Sequence, residues 1–395
     1  MMFDFDTMIE RSGTNSYKWD IASGELPMWV ADMDFETSPD VIAAMQTRLD
    51  HHIFGYTSVP DSYDEAVAQW WANRHQFQVQ KDWILFCTGV VPAISSIVRK
   101  MTKMNEKILV MAPVYNIFYN SILNNQREPI VSNLLYQNGE YAIDWEDLEV
   151  KLYDPDTTLM IFCNPHNPIG KVWDRAILER IGQLCIKHHV LIVSDEIHCD
   201  LTHPGFKYVP FAAVSEEIAN HSITCVAPTK TFNLAGIQTS SIIIPNPEIR
   251  ALVRRGINTD EVAEPNVFAV EAAIAAFTKG EPWLEALLSY LMSNKQLLEQ
   301  FIQREIPELQ VISSEATYLA WIDCSSITQD TEDLCEFIRT KTGLYVSKGS
   351  IFGGNGDHFI RVNYACPAAR LEEGLKRLKR GIHAYQVNKQ RLLRP

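Results

Sequence analysis

Six short apolar runs punctuate the chain between residues 83 and 245: WILFC (83–87), KILVMAP (107–113), LMIFCNP (159–165), VLIVSD (190–195), ITCVAP (223–228) and SSIIIP (240–245). Each ends in turn-forming or polar residues and is separated from the next by a longer amphipathic stretch. A strand with one wet face alternates apolar and polar side chains, whereas a strand covered on both faces reads as a continuous apolar run. The pattern predicts a mostly parallel sheet buried between helices, an α/β architecture. Beyond Pro265 the period lengthens: NVFAVEAAIAAF, and the stretch from Trp283 to about Glu305, carry apolar residues at the three- and four-residue spacing of helices. The C-terminal part returns to mixed elements, with strand-like TYLAWID (317–323) and FIRVNYA (359–365) beside the helical TEDLCEFIRTKTG and ARLEEGLKRLKRGIHAY. The expected organisation is an N-terminal arm that also completes a smaller domain (1–45), a large α/β domain (46–282) and a smaller C-terminal α+β domain (283–395).

Composition narrows the picture. At about 150 residues per domain, 395 residues leave room for two or three lobes and a large core. With 46% apolar and 21% charged residues the chain has the balance of a globular protein rather than a disordered one. The 35 basic and 49 acidic side chains give a net charge of -14, the wrong sign for a clamp on nucleic acid or anionic lipid. Eight cysteines form no CxxC pair and several lie inside apolar runs. They read as reduced core residues of a cytoplasmic chain, with neither a disulfide framework nor a metal centre expected. The acidic start MMFDFDTMIERSG lacks the features of a secretion signal, and no apolar run is long enough to span a membrane.

In open α/β sheets ligands collect at the carboxyl ends of strands, and here those ends are polar. Cys87-Thr88-Gly89-Val90-Val91 leads from a strand into a helix, whose free N–H groups favour an anion such as phosphate. Asn164-Pro165-His166-Asn167-Pro168-Ile169-Gly170 uses two Asn-Pro steps to hold an amide outward on a non-helical turn. Asp195 ends a buried strand, where a carboxylate is costly unless a cation or donors balance it, and His198 lies three residues on. In Ala227-Pro228-Thr229-Lys230 a lysine is projected toward the same crevice, where desolvation turns an amine into a nucleophile for carbonyls. Taken singly, each segment also fits a plain role: a strand-to-helix turn, a rigid loop, a helix cap, a solvated surface charge. Jointly they supply an anion seat, an amide, a carboxylate and an amine, which matches pyridoxal phosphate chemistry.

With those residues in view the chain resembles the fold-type-I pyridoxal-phosphate enzymes of the class I/II aminotransferase superfamily. More narrowly, PMWVADMDF (27–35), Gly55-Tyr56-Thr57, APVYNIFY (112–119), NPHNPIGKVW (164–173), SDEIHCDL (194–201) and TKTFNLAG (229–236) resemble the MalY/PatB-like cystathionine β-lyases, a carbon–sulfur lyase branch. The resemblance implies the aspartate aminotransferase-like fold and pyridoxal 5'-phosphate as cofactor. It implies Lys230 as the Schiff-base lysine, Asp195 as partner of the pyridinium nitrogen, and Asn167 with His198 near the ring's phenolic oxygen. Tyr115 would stack on the ring, and the backbone of Val90 and Val91 with the Thr229 hydroxyl would hold the phosphate. Tyr56 would reach the phosphate of a second subunit, which implies a homodimer. Arg361 would fork onto the substrate α-carboxylate beside Asn167, with Val30, Ala31 and Tyr119 lining the substrate. Two departures stand out: Gln238 replaces an arginine that many aminotransferases place eight residues after the lysine, and Val91 replaces a hydroxyl residue common in the phosphate cup. Both imply weaker hold on the phosphate.

The implied reaction is α,β-elimination on a small sulfur-containing amino acid such as L-cysteine, L-cystine or L-cystathionine, giving pyruvate, ammonia and a thiol or hydrogen sulfide. An aminotransferase of the same fold shares the loss of the Cα proton and diverges only afterwards, at the fate of the resulting carbanion. A regulatory protein that binds a transcription factor is the alternative of another class, opposed by the intact set of Lys230, Asp195, Asn167 and Arg361.

Overall fold

A computed structural model of the chain describes residues 3–392. All six apolar runs form strands of one seven-stranded sheet: β1 (Ile84–Cys87), β2 (Lys107–Ala112), β3 (Glu128–Asn133), β4 (Thr157–Cys163), β5 (Leu191–Asp195), β6 (Ser222–Val226) and β7 (Ser240–Ile243). Their order across the sheet is β1-β7-β6-β5-β4-β2-β3, parallel throughout except that β7 runs against both its neighbours. Continuous apolarity is explained residue by residue. Ile108, Val110, Ile161 and Cys163 face one core shared with helices Val90–Met101 and Pro247–Thr259. Leu109, Met111, Met160 and Phe162 face another, shared with helices Trp145–Tyr153 and Arg175–Lys187. Successive side chains of a strand point to opposite faces, so a sheet covered twice demands an apolar residue at every position.

Two features differ from the sequence reading. β3 has no apolar run to announce it; paired on one side only, with β2, it accommodates Pro129 and part-exposed residues as an edge strand can. The reversal of β7 is likewise invisible in SSIIIP, because apolarity reports burial and not direction.

A second, antiparallel sheet contains β8 (Gln310–Val311), β9 (Leu319–Asp323), β10 (Ser347–Lys348) and β11 (Phe359–Asn363), ordered β8-β9-β11-β10. Its core partners come from helices Thr331–Thr342, Glu281–Glu305 and Ala368–Leu392, through residues such as Ile338, Leu298, Leu371 and Leu378. The last helix runs past Tyr385, where the sequence pattern ends. Near the N-terminus, Leu26–Pro27 pairs in parallel with Leu344–Tyr345. Residues 28–35 then bridge the two sheets. Asn363 N–H donates to Met28 O at 2.9 Å, while the Asn233 amide donates to Met33 O at 3.0 Å and Phe35 O at 2.9 Å.

All eight cysteines are buried and free. Among the described residues no helix is long and apolar enough to cross a membrane.

Candidate active site

The carboxyl ends of β4, β5 and β6 meet the bridging segment and β11 at one crevice. After β6, Ala227 is extended and Pro228–Thr231 forms a single helical turn opened by proline, whose fixed φ suits the first helical position. Lys230 projects from that turn and its Nζ donates to Ala31 O at 2.5 Å. Burial pulls the ammonium down from 10.5 to about 8, against the attraction of Asp32; the Arg361 charge adds to the fall and Asp195 opposes it.

Asp195 closes β5, in register with Cys163 of β4 and Cys225 of β6. Its carboxylate accepts the Ile197 N–H at 3.1 Å, so part of the capping role is real, but among the described residues it forms no salt bridge. Burial pushes it up to about 7, with the Ile197 N–H and the charge of Lys230 pulling the other way. An anion without a cation in a dry site is a strong attractor for a protonated ring nitrogen.

Arg361 presents the opposite case. On β11 between Trp321 and Ser347, it is 5% exposed. Its Nη1 donates to Asn167 Oδ1 at 3.0 Å and Nη2 to Trp29 O at 3.1 Å, and the guanidinium lies 4.7 Å from the centre of the Phe352 ring. Its Nε is buried with no hydrogen-bond partner among the described residues. Among the described residues no carboxylate pairs with it, and burial lowers it to about 10. It is built to receive an anion.

Asn167 is held in place by the turn around it. His166 Nε2 and Pro113 O are 2.8 Å apart, His166 N–H donates to Lys171 O at 2.7 Å, and the Asn164 amide donates to Val209 O at 3.1 Å. Gly170 has φ of +66°, and a Cβ there would run into Ser314 and Ala316 O, so any larger residue is strained at this position. With Oδ1 engaged by Arg361, the Asn167 NH₂ is left to donate.

His198 is buried, its Nδ1 has no partner among the described residues, and its ring stands edge-on to Tyr318 at 6.3 Å. Burial, then the charges of Lys230 and Arg361, lower it to about 3, so the ring is neutral. Tyr115 lies close enough for Arg361 and Asp195 to act on its hydroxyl, which burial raises. The Tyr119 hydroxyl, pushed by burial to about 12, fills the space a Cβ on Gly353 would need. Val90 and Val91 open the helix Val90–Met101, where first-turn N–H groups have no carbonyl one turn behind them. Thr229 is buried next to Lys230. The Val30 and Ala31 carbonyls are occupied, the first by the Asn363 amide at 2.6 Å, the second by Lys230 and by the Tyr318 hydroxyl at 3.1 Å.

The crevice therefore brings together Lys230, Asp195, Asn167, Arg361, His198, Tyr115 and Ala31. Tyr56 stands apart, fully exposed on the loop after helix Pro39–Asp50. Gln238 is exposed with φ of 57°. Sequence reasoning missed a buried charge cage behind Ala31. Lys18, 1% exposed, lies 3.3 Å from Asp32 and 3.2 Å from Asp34; Arg11 reaches the same two acids at 2.9 and 2.6 Å, and Arg370 reaches Asp34 at 3.3 Å. The one local signal was the pair of acids in the otherwise apolar VADMDF; Arg11 and Lys18 precede them in the same N-terminal segment, and Arg370 comes from the last helix.

An unpaired buried anion, an unpaired buried cation, two orphaned ring and guanidinium nitrogens and a helix start with a nearby hydroxyl are a donor set that fits a phosphorylated cationic ring together with an amino acid. Residues 25–378 match the model of the aminotransferase class I and II family, and the chain belongs to that family. Within it, the chain is 42% identical over 386 residues to the cystathionine β-lyase PatB of Bacillus subtilis, covering 96% of this chain and 100% of PatB. It is 31% identical to protein MalY of Escherichia coli over 98% of this chain and 100% of MalY. The crystal structure of cystalysin from Treponema denticola, which contains pyridoxal 5'-phosphate, superposes with a TM-score of 0.94 at 34% identity, over 97% of this chain and 100% of cystalysin. The aspartate aminotransferase-like fold expected from the motifs is the fold observed.

Proposed function

We propose that this protein is a pyridoxal 5'-phosphate-dependent carbon–sulfur β-lyase that eliminates the sulfur substituent from L-cystathionine, L-cysteine or L-cystine. The observation that carries the reading is the pair of buried opposite charges, Asp195 and Arg361, both close enough to act on Lys230 and neither in a salt bridge among the described residues. Whole-length similarity to a cystathionine β-lyase supports the choice of reaction.

When bound, pyridoxal phosphate supplies an aldehyde that joins the amino group and a protonated ring that draws electron density away from Cα. Lys230 would bond that aldehyde at rest. Asp195 would keep the ring nitrogen protonated, the Asn167 amide and His198 would serve the phenolic oxygen, and Tyr115 would pack on the ring. Val90 and Val91 N–H groups and the Thr229 hydroxyl would hold the phosphate. Arg361 forks onto the α-carboxylate and, with Asn167, orients the Cα–H bond toward Lys230. The wall beside it is formed by Val30, Ala31 and Tyr119. Lys230, once free, takes the Cα proton; its lowered pKa makes a neutral amine accessible near neutral pH. The electron pair left at Cα becomes the Cα–Cβ double bond as the Cβ–S bond breaks with its own pair on sulfur, and the thiolate leaves. The released 2-aminoacrylate hydrolyses in water to pyruvate and ammonia.

Ile53, Phe54 and Tyr56 are exposed at 63%, 55% and 103% on one loop. In this reading a second copy covers them, and Tyr56 completes the phosphate seat of its neighbour in a homodimer. Eight buried free thiols support a reducing compartment, the cytoplasm. The division into residues 1–45, 46–282 and 283–395 is proposed as the working domain map.

The test is incubation with L-cystathionine and no added keto acid. Pyruvate should appear, and Lys230→Ala should abolish it. A strict requirement for a keto acid would identify an aminotransferase instead.

A further inference from the structure

Asp195 and Lys230 are each succeeded by a residue that turns away from the crevice. Glu196 accepts the Ser194 hydroxyl at 2.8 Å and the Phe211 N–H at 2.9 Å, and also the Tyr208 hydroxyl. The Tyr208 ring meets the edge of His75, with centroids 4.9 Å apart at 80°. His75 Nε2 and Asp200 Oδ1 are 2.8 Å apart. Asp200 also takes Trp70 Nε1 at 3.0 Å, Arg74 Nε at 3.3 Å and, on its other oxygen, the Thr231 hydroxyl at 3.1 Å. Thr231 is the residue directly after Lys230. One buried network thus starts beside Asp195 and ends beside Lys230, and it contains neither.

The atoms of His75, Cys199 and Asp200 lie within 4.8 Å of one another, a spacing that would suit a metal ion. Both Asp200 oxygens are already engaged, by four donors that include a guanidinium. The cluster is a hydrogen-bond hub.

We propose that Asp200 is a positioning residue for Lys230: through Thr231 it fixes the rotation of the Pro228–Thr231 turn, and through His75, Tyr208 and Glu196 it ties that turn to the strand end carrying Asp195. The inference rests on the function proposed above, since it concerns how the lysine addresses Cα. A four-residue turn has little rigidity of its own, because a single helical turn is a costly nucleus held by few hydrogen bonds. The lysine side chain is long, so a small rotation at its base becomes a large displacement at Nζ. The Thr231 hydroxyl is buried and finds its acceptor in Asp200.

Thr231→Val keeps the shape and removes the bond; Thr231→Ser keeps the hydroxyl. In the holoenzyme T231V should lower kcat about tenfold with KM within about twofold, since misplacement of a reacting group by an ångström costs up to about a hundredfold. T231S should recover most of that loss. In the cofactor-free protein, hydrogen exchange measured by mass spectrometry gives a second readout: the Phe232 amide, bonded to Pro228 O at 2.8 Å, should exchange faster in T231V and as in the wild type in T231S. An unchanged kcat in T231V, or equal impairment of both variants, would overturn the proposal. Failure of the wild type to form pyruvate would overturn the lyase reading alone, and the exchange comparison then decides the positioning role by itself.

Discussion

A buried arginine with no acid beside it should cost the folded chain stability and return it as binding. Arg361 falls from above 12 to about 10 on burial. At about 1.4 kcal/mol for each tenfold step, keeping it charged in its dry site costs about 3 kcal/mol. Two neutral acceptors, Asn167 Oδ1 and Trp29 O, offset part of that. Replacing Arg361 with glutamine removes the penalty and leaves those acceptors short of donors, a loss of about 1–3 kcal/mol. The two changes nearly cancel, so the melting temperature of the substrate-free R361Q protein should match the wild type or exceed it. Catalysis should respond differently. A fork of charge-assisted hydrogen bonds to a carboxylate, at about 1.5–3 kcal/mol each, is lost, and kcat/KM for cystathionine should fall by about two orders of magnitude or more. Calorimetry of the free protein and steady-state pyruvate release check the two halves. A destabilised R361Q that keeps more than a tenth of its kcat/KM would show that the arginine is a structural residue.

Asp195 makes a matching prediction about pH. Its folded pKa, about 7, lies above the ordinary 3.8, so the folded state holds the proton more tightly and stability of the cofactor-free protein should decline as pH rises from about 4 to about 7, by up to about 4 kcal/mol. Asp195→Asn should flatten that segment of the profile in denaturant titrations while abolishing pyruvate formation. Gly170→Ala, strained at φ of +66° and blocked by Ser314, should cost about 1–3 kcal/mol in stability, read from urea midpoints, and should raise KM through the displaced Asn167. Mixing inactive Lys230→Ala and Tyr56→Ala chains should restore activity if each subunit completes the other's site; mixtures as inactive as their parents would count against the shared arrangement.

The central sheet was legible because burial on both faces leaves a simple trace: Ile108 and Leu109, adjacent in sequence, enter opposite cores. Edge strand β3 left no such trace, and neither the direction of β7 nor its place beside β1 is encoded in apolarity. In the site, Asp195 was readable because it ends a buried apolar run, and Asn167 and Lys230 because they sit in the polar turns that follow two others; the part expected of Arg361 came from the resemblance and not from its strand. The hub at Asp200 and the cage of Arg11, Lys18, Asp32, Asp34 and Arg370 were not. The hub joins residues near 70–75, 196–208 and 231, and although four members of the cage lie within the N-terminal segment, nothing local in Arg370 announces that it will meet Asp34.

Trp29 and Ala31 lend their carbonyls to Arg361 and Lys230 respectively, so no more than about 7 Å of main chain separates the two anchorages. Under the proposed function, covalent bond lengths would act there as a ruler between the cation that reads the carboxylate and the amine that works on the neighbouring carbon. Drift in the surrounding core can loosen the molecule without altering that gauge. Diversification toward new sulfur substituents would then be steered to the side walls, where Tyr119 is proposed to stand, and away from the head of the amino acid.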